Sequence, residues 1–546
     1  MKKILLSFLS FFVAMNLVFA GGLVTNTNQS AAWARMLVRD ASTSIDAAYF
    51  NPAGLTKLSD GFHLSLSNQS IFQSRTITND FPYLNNSTFE GSVTAPFFPD
   101  LYAAYKKGKF AVSFGFNVIG GGGSAIFDKG VPMIETPIST LVPNFAAQGV
   151  TAYSVAANFE GSSVYYGFQA GISYAINDMI SVYLGARYVM ANNTYVGDVN
   201  DIMVTPASGT PVRADDFMNN LAGQASAGAT QLYSTATSMD PLVASPYGPM
   251  TFDVAIANST GATQTSLTAL RNGLTGLGQA NAGSLTVAQG QGAYNAYGDG
   301  YTAQSAKLTA GASLMADQSA DVKQTGSGIT PIIGVNLSFM EDKINIGMKY
   351  EFQTNMELTN ETPAGKGFVI GLNPSTGAPV EMFPDGAVTN ADMPAQLTVG
   401  LNYKITDKFS SQIGYHTYFD KNTGWDNVEN EIDNNYWELG LGFEYNLTDQ
   451  LLFSAGYLRA QTGVNEKYQS DLSYSLSSNT FGLGGAYKIN DKLTLQLGGY
   501  YTSYIDASVD GSQLLGDGVT AVPFTSTYEK TNFAFALGID FAFGGK

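Results

Sequence analysis

The chain of 546 residues has two histidines, His63 and His416, and no cysteine. Neither histidine has a second His or a Cys at ligand spacing, so no zinc or iron site is expected. His416 stands in "QIGYHTYFD", followed by Asp420. A carboxylate there could orient an imidazole that takes the proton of a serine nucleophile. No serine nearby lies in the Gly-x-Ser-x-Gly elbow of such enzymes, so the stretch does not read as an esterase site. The acidic run "FDKNTGWDNVENEIDNN" could offer oxygens to Ca²⁺, but its carboxylates lack the spacing of a calcium loop and read as a solvated outer segment. "GGGGSA", which begins at Gly120, lacks the Gly-Lys-Ser/Thr that holds phosphates. The residue types point to a protein that is not an enzyme and needs no cofactor.

Composition shows what kind of scaffold carries these residues. Only 13% of residues are charged, whereas 12% are aromatic and 59 are Gly. Typical soluble domains carry about 25% charged residues. The mean hydropathy is nevertheless +0.00. Strands that alternate apolar and polar residues average to such a value, as in membrane barrels. The formal charge is −17, from 27 Lys and Arg against 44 Asp and Glu. Nucleic acid is therefore not an expected partner, because phosphate binding needs clustered cations.

The start of the chain, "MKKILLSFLSFFVAMNLVFA", has two lysines, an apolar run and small residues before a cut after Ala20. Residues 1–20 read as a cleaved signal peptide.

The end of the chain shows the strand pattern most plainly. In "NFAFALGIDFAFGGK", Phe533, Phe535, Leu537, Ile539, Phe541 and Phe543 share one parity. Asn532, Ala534, Ala536, Gly538, Asp540 and Ala542 share the other. A period of two is a strand with two unlike faces. Hairpins of this kind recur: "GAYKINDKLTLQLG", "GLNYKITDKFSSQIG", "GFEYNLTDQLLFSAG", "GISYAINDMISVYLG", "GVNLSFMEDKINIGMK" and, more loosely, "AAYKKGKFAVSFG". The strand before each turn ends in an aromatic on its apolar face: Tyr105, Tyr174, Phe339, Tyr403, Tyr445 and Tyr487. Phe543 holds the equivalent place in the last strand. Aromatics at one level mark a membrane interface. Trp437, on the same face as Tyr445, suggests the second girdle.

Counting strands from Gly61 to Phe543 predicts an all-β fold, a 14-stranded antiparallel transmembrane β-barrel over residues 61–546. Short turns then face the periplasm and long polar connections face outward. The longest, about 199–320, is rich in Ala, Gly, Ser, Thr and Gln, with Leu at helical spacing in "TSLTALRNGLTGL". A partly helical extracellular loop is expected there.

Residues 21–60 show no alternation, yet Trp33, Met36, Leu37, Tyr49 and Phe50 are too apolar for a free tail. A barrel of this size has a lumen that wall side chains do not fill. The segment is expected to plug it.

With "DAAYFNPAGL" in the plug, "MPAQLTVGLNY" at 393–403, the closing hairpins and the long loop after the fifth strand, the chain resembles the FadL family. These are bacterial outer-membrane transporters of long-chain fatty acids and other hydrophobic compounds. The resemblance implies a hatch with its motif at Asn51, Pro52 and Ala53. It also implies passive uptake through a lumen pocket and sideways exit through a kink in the third strand. Here that strand carries Gly120, Gly121, Gly122 and Gly123, and glycine often marks a bulge. The run reads equally well as the loose outer end of a strand. The expected partners are outer-membrane lipid and a hydrophobic ligand bound by a single chain. Arg35, Arg39, Arg187 and Lys349 could reach the lumen, and most are expected to pair with acidic wall residues. A structural or adhesive barrel working through its outer loops is the alternative.

Overall fold

The computed structural model describes residues 23–373 and 376–543; the signal peptide lies outside them. Fourteen strands form the wall. They are β1 (Gly61–Asn79), β2 (Thr88–Lys107), β3 (Phe110–Phe127), β4 (Ala152–Ala175), β5 (Ile180–Thr205), β6 (Gln318–Phe339) and β7 (Ile344–Glu351, resumed at Glu357–Glu361). Then come β8 (Val388–Asn390 and Gln396–Lys404), β9 (Phe409–Tyr418), β10 (Trp437–Asn446), β11 (Leu451–Gln461), β12 (Ser478–Asn490), β13 (Leu493–Tyr504, resumed at Ala507–Leu514) and β14 (Ala521–Phe543). Each pairs antiparallel with its sequence neighbours, and β1 pairs with β14 from Phe62↔Phe543 to Asn79↔Ser526. The wall therefore closes on itself, first strand to last.

The two faces of each strand follow the alternation. Phe533, Phe535, Leu537 and Phe543 are exposed on the outside, while Ala534, Ala536 and Asn532 are buried inside. Tyr105, Tyr174, Phe339, Tyr403, Tyr445 and Tyr487 are all exposed on the outer surface, as the girdle requires. Asp540 points inward, where it accepts from Ser65 Oγ at 2.6 Å and Gln496 Nε2 at 2.8 Å.

The short turns owe their shape to local side-chain caps. Asn177 Oδ1 accepts from the Met179 and Ile180 amides, and Thr406 Oγ1 from those of Lys408 and Phe409. Thr448 does the same for Gln450 and Leu451. Asn and Thr side chains that bond backbone two or three residues on are turn chemistry.

The outer insertion is shorter than 199–320, because β5 and β6 pair out to Val199↔Gln318 and β5 runs on to Thr205. It is partly helical, as expected. Helices Ala214–Ser238, Gly261–Gly276 and Val287–Leu314 enclose an apolar cluster of their own, built around Met239, Phe252, Leu267, Leu274 and Val287. Thr286 and Gln289 start the last of them with a reciprocal capping box.

Candidate functional site

Residues from Leu23 to Thr56 lie almost wholly buried inside the barrel. Helix α1 (Ala31–Met36) begins at Ser30, whose Oγ accepts from the Trp33 amide, and ends at Leu37 in the left-handed region (φ 62°). A second short helix, α2 (Ala47–Phe50), leads into a 3-10 turn, Pro52–Lys57. Ionic pairs shape the bend between them. Arg39 meets Asp46 through Nε at 2.7 Å and Nη2 at 2.9 Å, and Ser42 Oγ donates to Asp46 at 2.6 Å. Burial works against the Asp46 carboxylate, but Arg39, Ser42 and Arg35 together outweigh it and hold its pKa below the usual range.

The wall is shaped to receive this backbone. Gly400, Gly414, Gly440, Gly442, Gly456, Gly482, Gly498 and Gly538 lie on β8 to β14 and face inward. A Cβ on Gly456 would sit 1.9 Å from the Met36 carbonyl oxygen, and one on Gly400 2.5 Å from Asp40 Cβ. Several are cross-strand partners: Gly400↔Gly414, Gly414↔Gly440, Gly442↔Gly456 and Gly456↔Gly482. This belt of missing side chains is the seat of α1 and the chain after it.

Around the belt, each of the four cations considered above meets a carboxylate. Arg35 reaches Glu444 at 2.6 Å, Arg39 Asp46 at 2.7 Å, Arg187 Glu351 at 2.6 Å and Lys349 Glu351 at 2.7 Å. Tyr49 lies under both Arg187 and Lys349, 5.0 and 4.3 Å from its ring centre. His416 spans Asp40 at 2.7 Å and Glu438 at 3.0 Å. Asp420, the orienting carboxylate considered for it, instead caps the Tyr436 amide from the loop after β9. The imidazole is thus part of the seat, held between two carboxylates. His63 Nε2 contacts the Ser59 carbonyl at 2.9 Å. No group of three or more metal-ligating side chains occurs among the described residues.

Asn51, Pro52 and Ala53 lie at the short-turn end of the barrel. Asn51 Nδ2 donates to the Ser42 carbonyl at 3.0 Å and to Asn336 Oδ1 at 2.8 Å. Ser173 Oγ donates to the Pro52 carbonyl at 2.6 Å and Ser181 Oγ to that of Ala53 at 2.9 Å. Three strands, β4, β5 and β6, hold the tripeptide.

The glycine run lies within β3. Pairing of β2 with β3 stops between Thr94↔Ser124 and Leu101↔Phe116, and the β3–β4 register shifts twice across Val118 to Gly123. Gly121 (φ 62°) and Gly122 (φ 123°) adopt conformations that side chains resist. On the facing stretch of β2, Pro96 and Pro99 have no amide hydrogen to offer.

The N-terminal segment supplies what β2 withholds. Asn26 N donates to the Ile119 carbonyl at 2.7 Å, Asn26 Nδ2 to that of Gly121 at 2.8 Å, and Gln29 Nε2 to that of Val118 at 2.9 Å. The Tyr102 hydroxyl in turn donates to the Gln29 carbonyl. Asn26 and Gln29 escape a reading of the sequence, since "NTNQS" looks like any polar linker. Thr25, Thr27, Asn28 and Gln29 each keep one buried polar atom without a partner. More polar atoms are left unpaired along this stretch than along α1.

A closed antiparallel barrel with an apolar outside and a filled inside is a membrane-spanning protein of the outer-membrane kind. No family model matches the chain, and no curated protein matches it. Among solved structures, it is similar to the crystal structure of a Pseudomonas aeruginosa FadL homologue, with 12% identity over 96% of this chain and 100% of that chain and a TM-score of 0.56. The Pseudomonas putida toluene transporter TodX (11% identity, 95% and 99% covered, TM-score 0.47) and the Ralstonia pickettii toluene transporter TbuX (14%, 95% and 99%, 0.46) align over similar lengths. The first likeness identifies the fold as that of a FadL-type barrel.

Proposed function

We propose that this protein carries hydrophobic molecules, long-chain fatty acids first among them, passively across the bacterial outer membrane. The observation that supports this reading most directly is the shared boundary of gap and plug. The carbonyls of Val118, Ile119 and Gly121, unpaired with β2, are capped by Asn26 and Gln29. A backbone carbonyl left bare in lipid is costly, so the gap stays shut while the segment is in place.

The segment acts as a hatch. An apolar ligand that leaves water gains about 25 cal/mol per Å² buried. Its arrival shifts residues 23–29, the least satisfied part, while α1 stays on its glycine seat and Asn51, Pro52 and Ala53 stay anchored below. The ligand then leaves sideways between β2 and β3, past Gly120 to Gly123.

The test is uptake of a labelled long-chain fatty acid by cells that depend on this protein. Deleting residues 28–50 is expected to raise leak and abolish saturable uptake. A photoreactive fatty acid is expected to label Phe97 and Phe98 at the gap. Unchanged saturable uptake by the deletion would remove the hatch from the mechanism. Labelling confined to the periplasmic end would remove the lateral exit.

A further inference from the structure

Six Arg and Lys residues among those described are buried, and only four of them meet a carboxylate. The other two, Arg75 on β1 and Lys530 on β14, are direct cross-strand partners. Both face the lumen, 2% and 4% exposed. Like charges placed opposite one another repel, and burial without a counter-ion adds to the cost. Arg75 spends Nε on Gln73 Oε1 at 2.8 Å, and among the described residues no hydrogen bond engages its Nη1 or Nη2. The Lys530 ammonium has a single long contact, 3.5 Å to the Tyr474 carbonyl. What faces both cations is aromatic. Lys530 Nζ lies 4.7 Å from the centre of the Tyr474 ring and 5.3 Å from that of Tyr504, and the Arg75 guanidinium lies 5.5 Å from Tyr474. Ring faces attract cations but do not neutralise them.

Further donors gather at the same spot. Gln73 Nε2 is buried without a partner, and so is the Tyr504 hydroxyl. The acids beside Tyr474 are turned elsewhere. Glu529 has the opposite parity to Lys530, and Asp471 takes the Met133 amide at 2.5 Å and the Tyr528 hydroxyl at 3.1 Å. A guanidinium edge, an ammonium and an amide N–H match an oxyanion; Asn532, opposite Gln73, adds a further unpartnered amide, nitrogen and oxygen both. The site lies toward the outer end of the lumen. Ile71, Ile77, Phe89 and Val93 pack in the same buried cluster beside it.

We propose that Arg75 and Lys530, with Gln73, form a receptor for the anionic head of an amphiphile, a carboxylate or another oxyanion, whose apolar tail runs along Ile71, Ile77, Phe89 and Val93. Tyr474, carried by the in-folded connection between β11 and β12, is the cover that the head displaces. This inference rests on the transport reading and refines it. Recognition by charge gives acids preference over neutral molecules of equal length.

The experiment is equilibrium binding of oleate and of oleyl alcohol to the full protein in zwitterionic nanodiscs. It compares wild type, Arg75→Gln, Lys530→Gln and the charge-retaining Arg75→Lys and Lys530→Arg. Heat-modifiable gel mobility checks that each barrel is folded. A charge-assisted bond lost from each neutral variant corresponds to about tenfold weaker oleate binding, with oleyl alcohol unchanged and the charge-retaining variants near wild type. Equal losses for both probes, or no loss for either, would overturn the receptor and leave transport standing. A wild type that binds neither probe would overturn both. Excess sulfate tells a head-group from a free anion: oleate binding is expected to persist, and full displacement by sulfate with no gain from the chain would overturn the amphiphile assignment.

Discussion

The side-chain amide of Asn26 donates to the carbonyl of Gly121 at 2.8 Å, across a separation of 95 residues. It stands where the next strand of the barrel should have paired. The wall is thus completed at this point by a segment outside the barrel strands.

Asn26→Ala keeps the backbone bond to Ile119 and removes the side-chain bonds to Gly121 and Val118. Each bond of this type is worth about 1 kcal/mol, and bare carbonyls add to that. We expect a loss of about 1–3 kcal/mol in stability and faster entry of a hydrophobic dye into cells. Thermal unfolding and dye-uptake rates measure the two. A stable variant with an unchanged dye barrier would show that the cap does not close the wall.

The glycine seat permits a reversible lock. A Cβ on Gly440 would lie 3.1 Å from Val38 Cβ, a little short of the usual disulfide spacing. The chain has no cysteine, so Val38→Cys with Gly440→Cys makes a single cross-link. If only residues 23–29 move, the oxidised protein should transport as well as the reduced one. If α1 also has to leave its seat, oxidation should stop uptake and a reductant should restore it. The first outcome is the one expected, and uptake before and after reduction measures it.

Glu351 meets both Arg187 and Lys349, at 2.6 and 2.7 Å. Glu351→Gln leaves two buried cations without a counter-ion, and removing one partner of a buried pair costs about 3–5 kcal/mol. Replacing Glu351 together with Lys349, as Gln and Met, leaves one uncompensated charge and should recover part of that loss. Chemical or thermal unfolding of the three proteins gives the comparison.

Asp420, in the loop after β9, is raised by burial from 3.8 to about 7. The folded protein therefore holds this proton more tightly than the unfolded chain does. The contribution of Asp420 to stability is full below about pH 4, falls as the pH rises toward 7 and stays low above it. Asp420→Asn cannot ionise and still offers an oxygen to the Tyr436 amide. Its melting temperature should match wild type near pH 4 and exceed it near pH 8. An equal offset at both pH values would show that ionisation of Asp420 does not govern the loop.

Strand faces were legible in the sequence because the period of two is local. Phe533 and Asp540 declare their sides from adjacent residues alone, and so do the girdle aromatics from Tyr105 to Phe543. The repeated hairpins, from "AAYKKGKFAVSFG" to "GAYKINDKLTLQLG", show where strands reverse, and hence their number. Arg35, Arg187 and Lys349 find acids on the wall while Arg39 finds Asp46 within the plug, and the partners lie as far off as Glu444. Only closure of the barrel decides which inward groups meet. The same closure sets Arg75 opposite Lys530, although each looks ordinary in its own strand. It also turns scattered glycines from Gly400 to Gly538 into one seat, and joins Asn26 to a run of glycines whose sequence alone left open whether it was wall or loop. Parity is a property of neighbours. Partnership depends on register summed around a ring of fourteen strands, and no short stretch of sequence contains that sum.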